Sequence, residues 1–218
     1  MRQLASKWLK TKALLHHPYT AVYIPETCLY SKDQLRMMLG RHAFVFIKPV
    51  KGGGGIGVMR VARERREYTC TRMERRYRFS SFGELAVGIE KLRLQRPYLI
   101  QQGILLSAIQ SRPVDYRVKV VKVGQKWAFR SVVARQARPG LVITNLCKGG
   151  TLMKGMDALR KIYPRQVATR KRREIVNLTQ RCIPVLEKRF PGIGQLGFDY
   201  GLDPNGRIWI LEVNTRPQ

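Results

Sequence analysis

Residues 44–61 read FVFIKPVKGGGGIGVMRV. An apolar run ends in Lys48-Pro49, Lys51 follows, four glycines occupy Gly52–Gly55, and a second apolar run begins after Gly57. Short apolar runs bounded by glycine and proline read as strands, here Phe44–Ile47 and Gly57–Val61. The glycines therefore join strand to strand. A Walker A loop needs Lys-Ser/Thr after its last glycine and a helix beyond, and a dinucleotide fingerprint also opens a helix. Both are excluded, because here the lysines precede the glycines and a strand follows. Two readings stay open: a hairpin whose glycines serve tight geometry alone, or a lid whose backbone N–H groups face phosphate.

The C-terminal stretch GFDYGLDPNGRIWILEVN (197–214) reads as two further strands joined at the tight-turn sequence DPNG. Glu212 and Asn214 are two apart and share a face. Asp199 comes opposite them if the turn sets the register. Two carboxylates and an amide oxygen are hard ligands that suit Mg²⁺ on nucleotide phosphates. The same acids can equally serve to pair Arg207 and Arg216.

Between these ends the chain alternates helix and strand signals. Ser6–Leu15 reads as a helix. Ser31 with Gln34, and Ser81 with Glu84, are capping-box patterns opening two more, the first with Leu35, Met38 and Leu39 on one face and the second running to about Arg93. Tyr68–Phe79 reads as one antiparallel strand and Tyr98–Gln102 as a short one. Residues 115–136 read as two long strands about Gly124, Gly140–Gly155 as a glycine-punctuated loop region, and Arg170–Phe190 as a basic amphipathic helix kinked at Pro184. The class is α+β, with a small glycine-loop lobe near residues 20–100 and a larger lobe over 101–218.

Charge is the extreme feature of the composition. Lys and Arg total 42 against 14 Asp and Glu, a net of +28 in 218 residues. Such a field draws polyanions and acidic substrates. The density peaks at 60–78 and 158–173, without a sequence-specific DNA motif. Cys28, Cys70, Cys147 and Cys182 are scattered, with neither CxxC nor metal-ligand spacing. They read as free thiols in a reducing compartment, so a cytoplasmic location is expected. No stretch approaches the roughly 20 apolar residues of a membrane span, and no signal peptide is read. The three histidines, His16, His17 and His42, form no triad pattern with the cysteines, so no covalent nucleophile is expected.

In order, FIKPVKGGGGIG, YLIQQGI, DYRVKVV, NLCKGG and GFDYG…WILEVNTRP resemble the motif succession of the ATP-grasp superfamily of carboxylate–amine ligases. Ribosomal-protein glutamate ligases and D-alanine–D-alanine ligases share it. SKWLKTKALL, PETCLYS and the terminal EVNTRPQ resemble the spore-coat-associated YheC/YheD group in particular. The resemblance implies an ATP-grasp fold over 1–218, with nucleotide between the antiparallel sheets of two α+β lobes. It implies ATP and Mg²⁺ or Mn²⁺ as cofactors.

Carried residue by residue, the resemblance makes Lys7 and Lys48 the phosphate-reaching lysines and Gly52, Gly53, Gly54 and Gly55 the phosphate lid. Gln101, Gln102 and Ile104 become the hinge at the adenine edge. Arg117, Arg135, Asn145 and Lys148 fall near the transferred phosphate and substrate carboxylate, and Asp199, Glu212 and Asn214 become the metal ligands. The implied activity is ATP-dependent joining of a carboxylate to an amine (or thiol) through an acyl phosphate, on an acidic small molecule, peptide or polymer, in connection with spore formation. A phosphotransferase and a non-catalytic nucleotide-binding protein are the alternatives. Members usually carry a substrate domain before the first lysine, whereas six residues precede Lys7 here. A complete acceptor site is therefore expected to be absent, or to be supplied by a partner subunit or a second copy. Gln101-Gln102 stands where many members have an acidic residue, and Gly197 where some ligases have an arginine.

Overall fold

A computed structural model describes residues 4–138 and 149–216. The chain forms two compact units, Pro25–Gly103 and the discontinuous Met1–Ile24 with Ile104–Gln218. The architecture is α+β with two antiparallel sheets. Two helices come first, α1 (Lys7–Leu15) and the short α2 (Pro18–Ala21). The Ser6 hydroxyl caps α1 by accepting from the Leu9 N–H at 3.3 Å.

The unit Pro25–Gly103 contains β1 (Thr27–Leu29), α3 (Lys32–Arg41), β2 (Phe44–Pro49), β3 (Met59–Glu64), β4 (Glu67–Arg72), β5 (Arg75–Phe79), α4 (Phe82–Leu92) and β6 (Tyr98–Gln102). Its six-stranded sheet runs β1-β6-β2-β3-β4-β5. Leu35 and Met38 of α3 and Leu85 and Ile89 of α4 pack on one sheet face against Val45, Ile47, Met59, Val61, Cys70, Tyr98 and Ile100. Each such aliphatic side chain stabilises the fold by about 1.5–3 kcal/mol. Both expected caps form, Ser31 accepting from the Gln34 N–H at 3.1 Å and Ser81 from the Glu84 N–H at 3.2 Å. The Glu84 carboxylate returns to the N–H and hydroxyl of Ser80, one residue before the cap. The stretch expected as one strand over Tyr68–Phe79 is two. The chain reverses at Met73 (φ 57°), and an equally tight turn at Arg65 (φ 46°) joins β3 to β4. Neither turn uses the glycine or asparagine that would announce it.

The other unit continues with β7 (Ala108–Ile109), β8 (Arg112–Val123), β9 (Lys126–Gln136), β10 (Thr151–Lys154), α5 (Gly155–Ile162), α6 (Arg165–Arg189), β11 (Gln195–Leu202) and β12 (Ile208–Asn214). Its main sheet runs β10-β9-β8-β11-β12, with β7 beside β8. Tyr116, Val118, Val120, Leu196, Phe198 and Tyr200 form the buried face, covered by Leu14, Leu159, Ile175, Leu178, Cys182 and Leu186. The described end of the expected loop region is ordered, as strand Thr151–Lys154 and then helix from Gly155. The basic helix begins at Arg165 rather than Arg170 and runs through Pro184. Alternation places Asp115, Arg117, Gly197 and Asp199 on the face opposite this core.

Candidate active site

The register of β11 and β12 is set in two steps. From the DPNG turn, Leu202 pairs with Ile208, Gly201 with Trp209 and Tyr200 with Ile210. Continued unbroken, that register would set Asp199 against Leu211 and turn Glu212 toward the core. Instead Leu211 is an extra residue, and pairing resumes as Asp199 with Glu212, Phe198 with Val213 and Gly197 with Asn214. This β-bulge re-aims Glu212 and Asn214 onto the face of Asp199, the effect such bulges have beside functional sites. The Leu211 and Leu106 side chains then lie over Gly201, where a Cβ would come within 2.5 Å of Leu106 Cδ2. Only glycine fits there.

Asp199 is 6% exposed and both of its oxygens accept from arginine. Arg117 donates from Nε and Nη2 to the two oxygens at 2.7 and 2.9 Å, and Arg135 Nη2 lies 3.1 Å from Oδ2. Arg135 also forms a bidentate pair with Asp115 at 2.7 and 2.5 Å. Burial by itself would raise the Asp199 carboxyl; the hydrogen bond from Arg117 and the charge of Arg135 outweigh it and hold the group below the ordinary carboxylate range. Burial opposes the charge of Arg117 and Arg135 too, but the aspartates keep both guanidinium groups firmly protonated. Two carboxylates and two guanidinium groups thus balance across β8, β9 and β11. Removing one partner from such a buried set costs about 3–5 kcal/mol.

Lys7 Nζ lies 3.3 Å from Glu212 Oε1, with side-chain exposures of 11% and 24%. One helical turn on, Lys10 is buried and its Nζ donates to the Leu4 carbonyl at 2.8 Å. Burial lowers Lys10 from 10.5 to about 8, Glu212 opposing that shift and Lys7 adding to it. The Leu4 N–H donates to Thr215 Oγ1 at 2.8 Å, and that hydroxyl lies 3.2 Å from the Leu4 carbonyl. Lys10 and Thr215 therefore hold the segment entering α1 beside the end of β12. Neither was singled out from sequence, although Lys10 follows Lys7 at helical spacing. Asp115 was also passed over, although it shares a strand face with Arg117.

In the unit Pro25–Gly103, Lys48 Nζ donates to Gln101 Oε1 at 2.6 Å, and Gln101 Nε2 donates to Thr27 Oγ1 at 3.2 Å. These residues occupy the sheet face opposite α3 and α4, with the Phe46 ring centroid 5.3 Å from Lys48 Nζ. Gln102 is used locally, its N–H donating to the Glu26 carbonyl and its side-chain oxygen accepting from the Glu26 N–H. No backbone–backbone hydrogen bond among the described residues uses Ile104. Gly52, Gly54 and Gly55 have positive φ, and Gly52, Gly53 and Gly54 are exposed. Within the glycine loop the most confined position lies outside the expected lid. Gly57 has φ +78°, and a Cβ there would lie 2.8 Å from Tyr98 Oη. Asn145 and Lys148 lie outside the described residues.

Asp199, Glu212 and Asn214 supply only hard oxygen donors on one strand face, and Asp199 is held ionised. That set fits Mg²⁺ or Mn²⁺. Among the described residues no group of three or more His, Cys, Asp and Glu converges on a metal position. Cys28, Cys70 and Cys182 are free thiols; burial raises all three, Cys70 and Cys182 to about 12, which leaves them poor nucleophiles. No helix among the described residues is long and apolar enough to cross a membrane.

Comparison with known proteins identifies the family and the fold. A family model described as "YheC/D like ATP-grasp" matches residues 2–218. The chain is 29% identical over 223 residues to the endospore coat-associated protein YheD of Bacillus subtilis (strain 168), covering 97% of this chain and 48% of that protein. The chain thus spans about half the length of this curated relative. Among solved structures, N5-carboxyaminoimidazole synthase from Aspergillus clavatus, in complex with ADP and its ribonucleotide, matches with a TM-score of 0.55 at 13% identity, covering 100% of this chain and 46% of that one. An L-amino acid ligase from Bacillus licheniformis matches with a TM-score of 0.55 at 13% identity, over 97% of this chain and 40% of that one. At these identities the two structures establish the fold.

Proposed function

Because the chain belongs to the YheC/D-like ATP-grasp family, we propose that it is an ATP-dependent ligase that joins a carboxylate of an acidic peptide or polymer to an amine. The observation that carries this reading is the bulge at Leu211, which sets Glu212 against Asp199 and within reach of Lys7. Strand pairing alone has no need of a bulge that sets Glu212, with Lys7 beside it, opposite Asp199. A phosphate-and-metal site has that need.

A carboxylate is a poor electrophile, so the substrate carboxylate first attacks the γ-phosphorus. The bond from that phosphorus to the bridging oxygen of ADP breaks, and an acyl phosphate forms. The amine nitrogen then attacks the acyl carbon, phosphate leaves, and the amine gives up a proton. The protein's part is positioning and charge stabilisation. Asp199, Glu212 and Asn214 hold Mg²⁺, which when bound neutralises charge on the phosphate oxygens. Lys7 exchanges the Glu212 carboxylate for a phosphate oxygen. Lys48 reaches a second phosphate oxygen, and Gln101, its partner here, positions it. Gly52–Gly55 lie over the phosphates, and Ile104 offers backbone groups to the adenine edge. Arg117 and Arg135 fix Asp199 and carry positive charge toward the transferred group. The +28 net charge favours an acidic substrate. The relative's coat-associated name supports a role in spore formation.

The test is incubation with ATP, Mg²⁺, acidic peptides and an amine pool, followed by ADP quantitation and product mass. ADP release with a new amide supports the ligase. A phosphorylated hydroxyl product, or nucleotide binding without turnover on any pool, overturns it. Glu212→Gln keeps the shape and removes the charge, so turnover should fall by about 10²-fold; unchanged turnover removes Glu212 from the metal site.

A further inference from the structure

We propose that β5, the outermost strand of the six-stranded sheet, docks an extended acidic polypeptide by strand addition, with an apolar side chain of that peptide seated in the groove between β5 and α4. β5 ends the strand order and pairs only with β4 among the described residues. An edge strand presents alternate backbone N–H and C=O groups to any strand laid alongside. Beside it is an open groove of about 520 Å³ lined by Tyr77, Phe79, Val87 and Leu92, with Glu84 and Lys91 on its rim. Gly88 shapes its floor. A Cβ there would stand 2.4 Å from the Phe79 ring, so the glycine lets the edge of that ring pack close against α4.

The charge around this edge selects the occupant. Residues 60–78 carry eight arginines and three glutamates. On β5 itself Arg75, Arg76 and Arg78 are exposed. A larger hollow of about 1160 Å³ continues past the end of the strand, lined in part by Arg65, Arg66 and Arg78. Arg76 now pairs with Glu64 at 2.5 Å, and Arg78 lies 3.8 Å from Glu67. These solvent-exposed pairs are weak, so peptide carboxylates can replace the glutamates at little cost. Arginines on an edge strand also keep sheets from joining one another. That role accounts for the charge but not for an exposed apolar groove along the same strand. A peptide with acidic residues facing Arg76 and Arg78 and one apolar residue toward α4 accounts for both.

That this peptide is the ligase's substrate rests on the function proposed above; its seat on β5 does not. The test needs no ATP: fluorescence anisotropy with a glutamate-rich decapeptide carrying one leucine, a lysine-rich counterpart, and a single-stranded oligoribonucleotide of matching charge. The acidic peptide should bind, and hydrogen exchange should show β5 amides slowed in its presence. Arg76→Glu with Arg78→Glu, and separately Val87→Glu in the exposed groove wall, should each weaken that binding at least tenfold while MgATP binding by calorimetry stays unchanged. Peptide affinity untouched by both variants, protection absent from β5, or preference for the oligoribonucleotide would overturn the proposal. Peptide binding lost in the variants with no amide formed by the wild type overturns the ligase alone. Amide formation with an unaltered peptide KM in both variants overturns the docking site alone.

Discussion

Lys10 sits in a demanding environment for a lysine. It is 2% exposed, beside a second lysine, with the Leu4 carbonyl accepting its hydrogen bond. Its folded value of about 8 lies below the ordinary 10.5, so between those pH values the unfolded chain binds more protons than the folded one. Stability therefore rises with pH across that window, and the cost of the buried charge is fully present below about pH 8. Urea unfolding of wild type and Lys10→Met at pH 7 to 10.5 should show the wild type gaining on the variant by up to about 3 kcal/mol as pH rises. A difference constant with pH would show that Lys10 titrates normally. The motifs around Lys7 and Lys48 single them out in a linear reading, because motif spacing survives there. The partners that hold these lysines were not legible. Lys7 meets Glu212 across most of the chain's length, and the charge of Lys10 depends on burial that no local pattern announces. Asp199 and Glu212 were expected to face each other through the turn; the bulge at Leu211 is what makes them do so, and nothing in WILEVN marks it.

Among the elements, those with strong local signals were readable and those without were not. The serine caps of α3 and α4 and the hairpin at Gly124 declare themselves. The β4–β5 reversal at Met73-Glu74 and the start of α5 at Gly155, whose preceding Lys154 makes no side-chain cap, do not. Gly155 is there for close approach: a Cβ would stand 2.9 Å from the Val132 carbonyl oxygen. α6 shows tertiary packing overriding propensity. It runs through Pro184, which is exposed, because Ile175, Leu178, Cys182, Ile183 and Leu186 bury a stripe on both sides of it. Proline there removes a helical N–H and crowds the preceding turn. Pro184→Ala should stabilise the protein by about 1–2 kcal/mol, the helix gain partly offset by a freer unfolded chain. Denaturant midpoints measure it, and a loss of stability would mean that proline at 184 is needed for packing.

Over the whole molecule, net charge is the property most directly readable from sequence and the least informative about fold. A +28 chain holds polyanions largely by displacing their counterions. Binding of polyglutamate should weaken steeply between 50 and 200 mM salt, by tenfold or more, with a linear dependence on the logarithm of salt concentration. Salt-independent binding would show that the positive field takes no part. What composition could not reveal is that the chain completes one unit only after building the other, since Pro25–Gly103 interrupts the segments that make up the rest.

That interruption has a consequence for the order of folding. Met1–Ile24 and Ile104–Gln218 belong together, yet joining them requires closing the whole of Pro25–Gly103 as a loop, a cost in chain entropy that grows with loop length. Within the interrupting unit, β1 pairs with β6, and Glu26 and Gln102 are doubly hydrogen-bonded to each other at its two ends. Once that unit has folded, its entry and exit are already neighbours, and the outer segments meet as though joined by a short turn. The inserted unit can thus serve as a clasp for assembly of the discontinuous one, and damage to the β1–β6 pairing should slow refolding far from where it occurs, as stopped-flow refolding would measure.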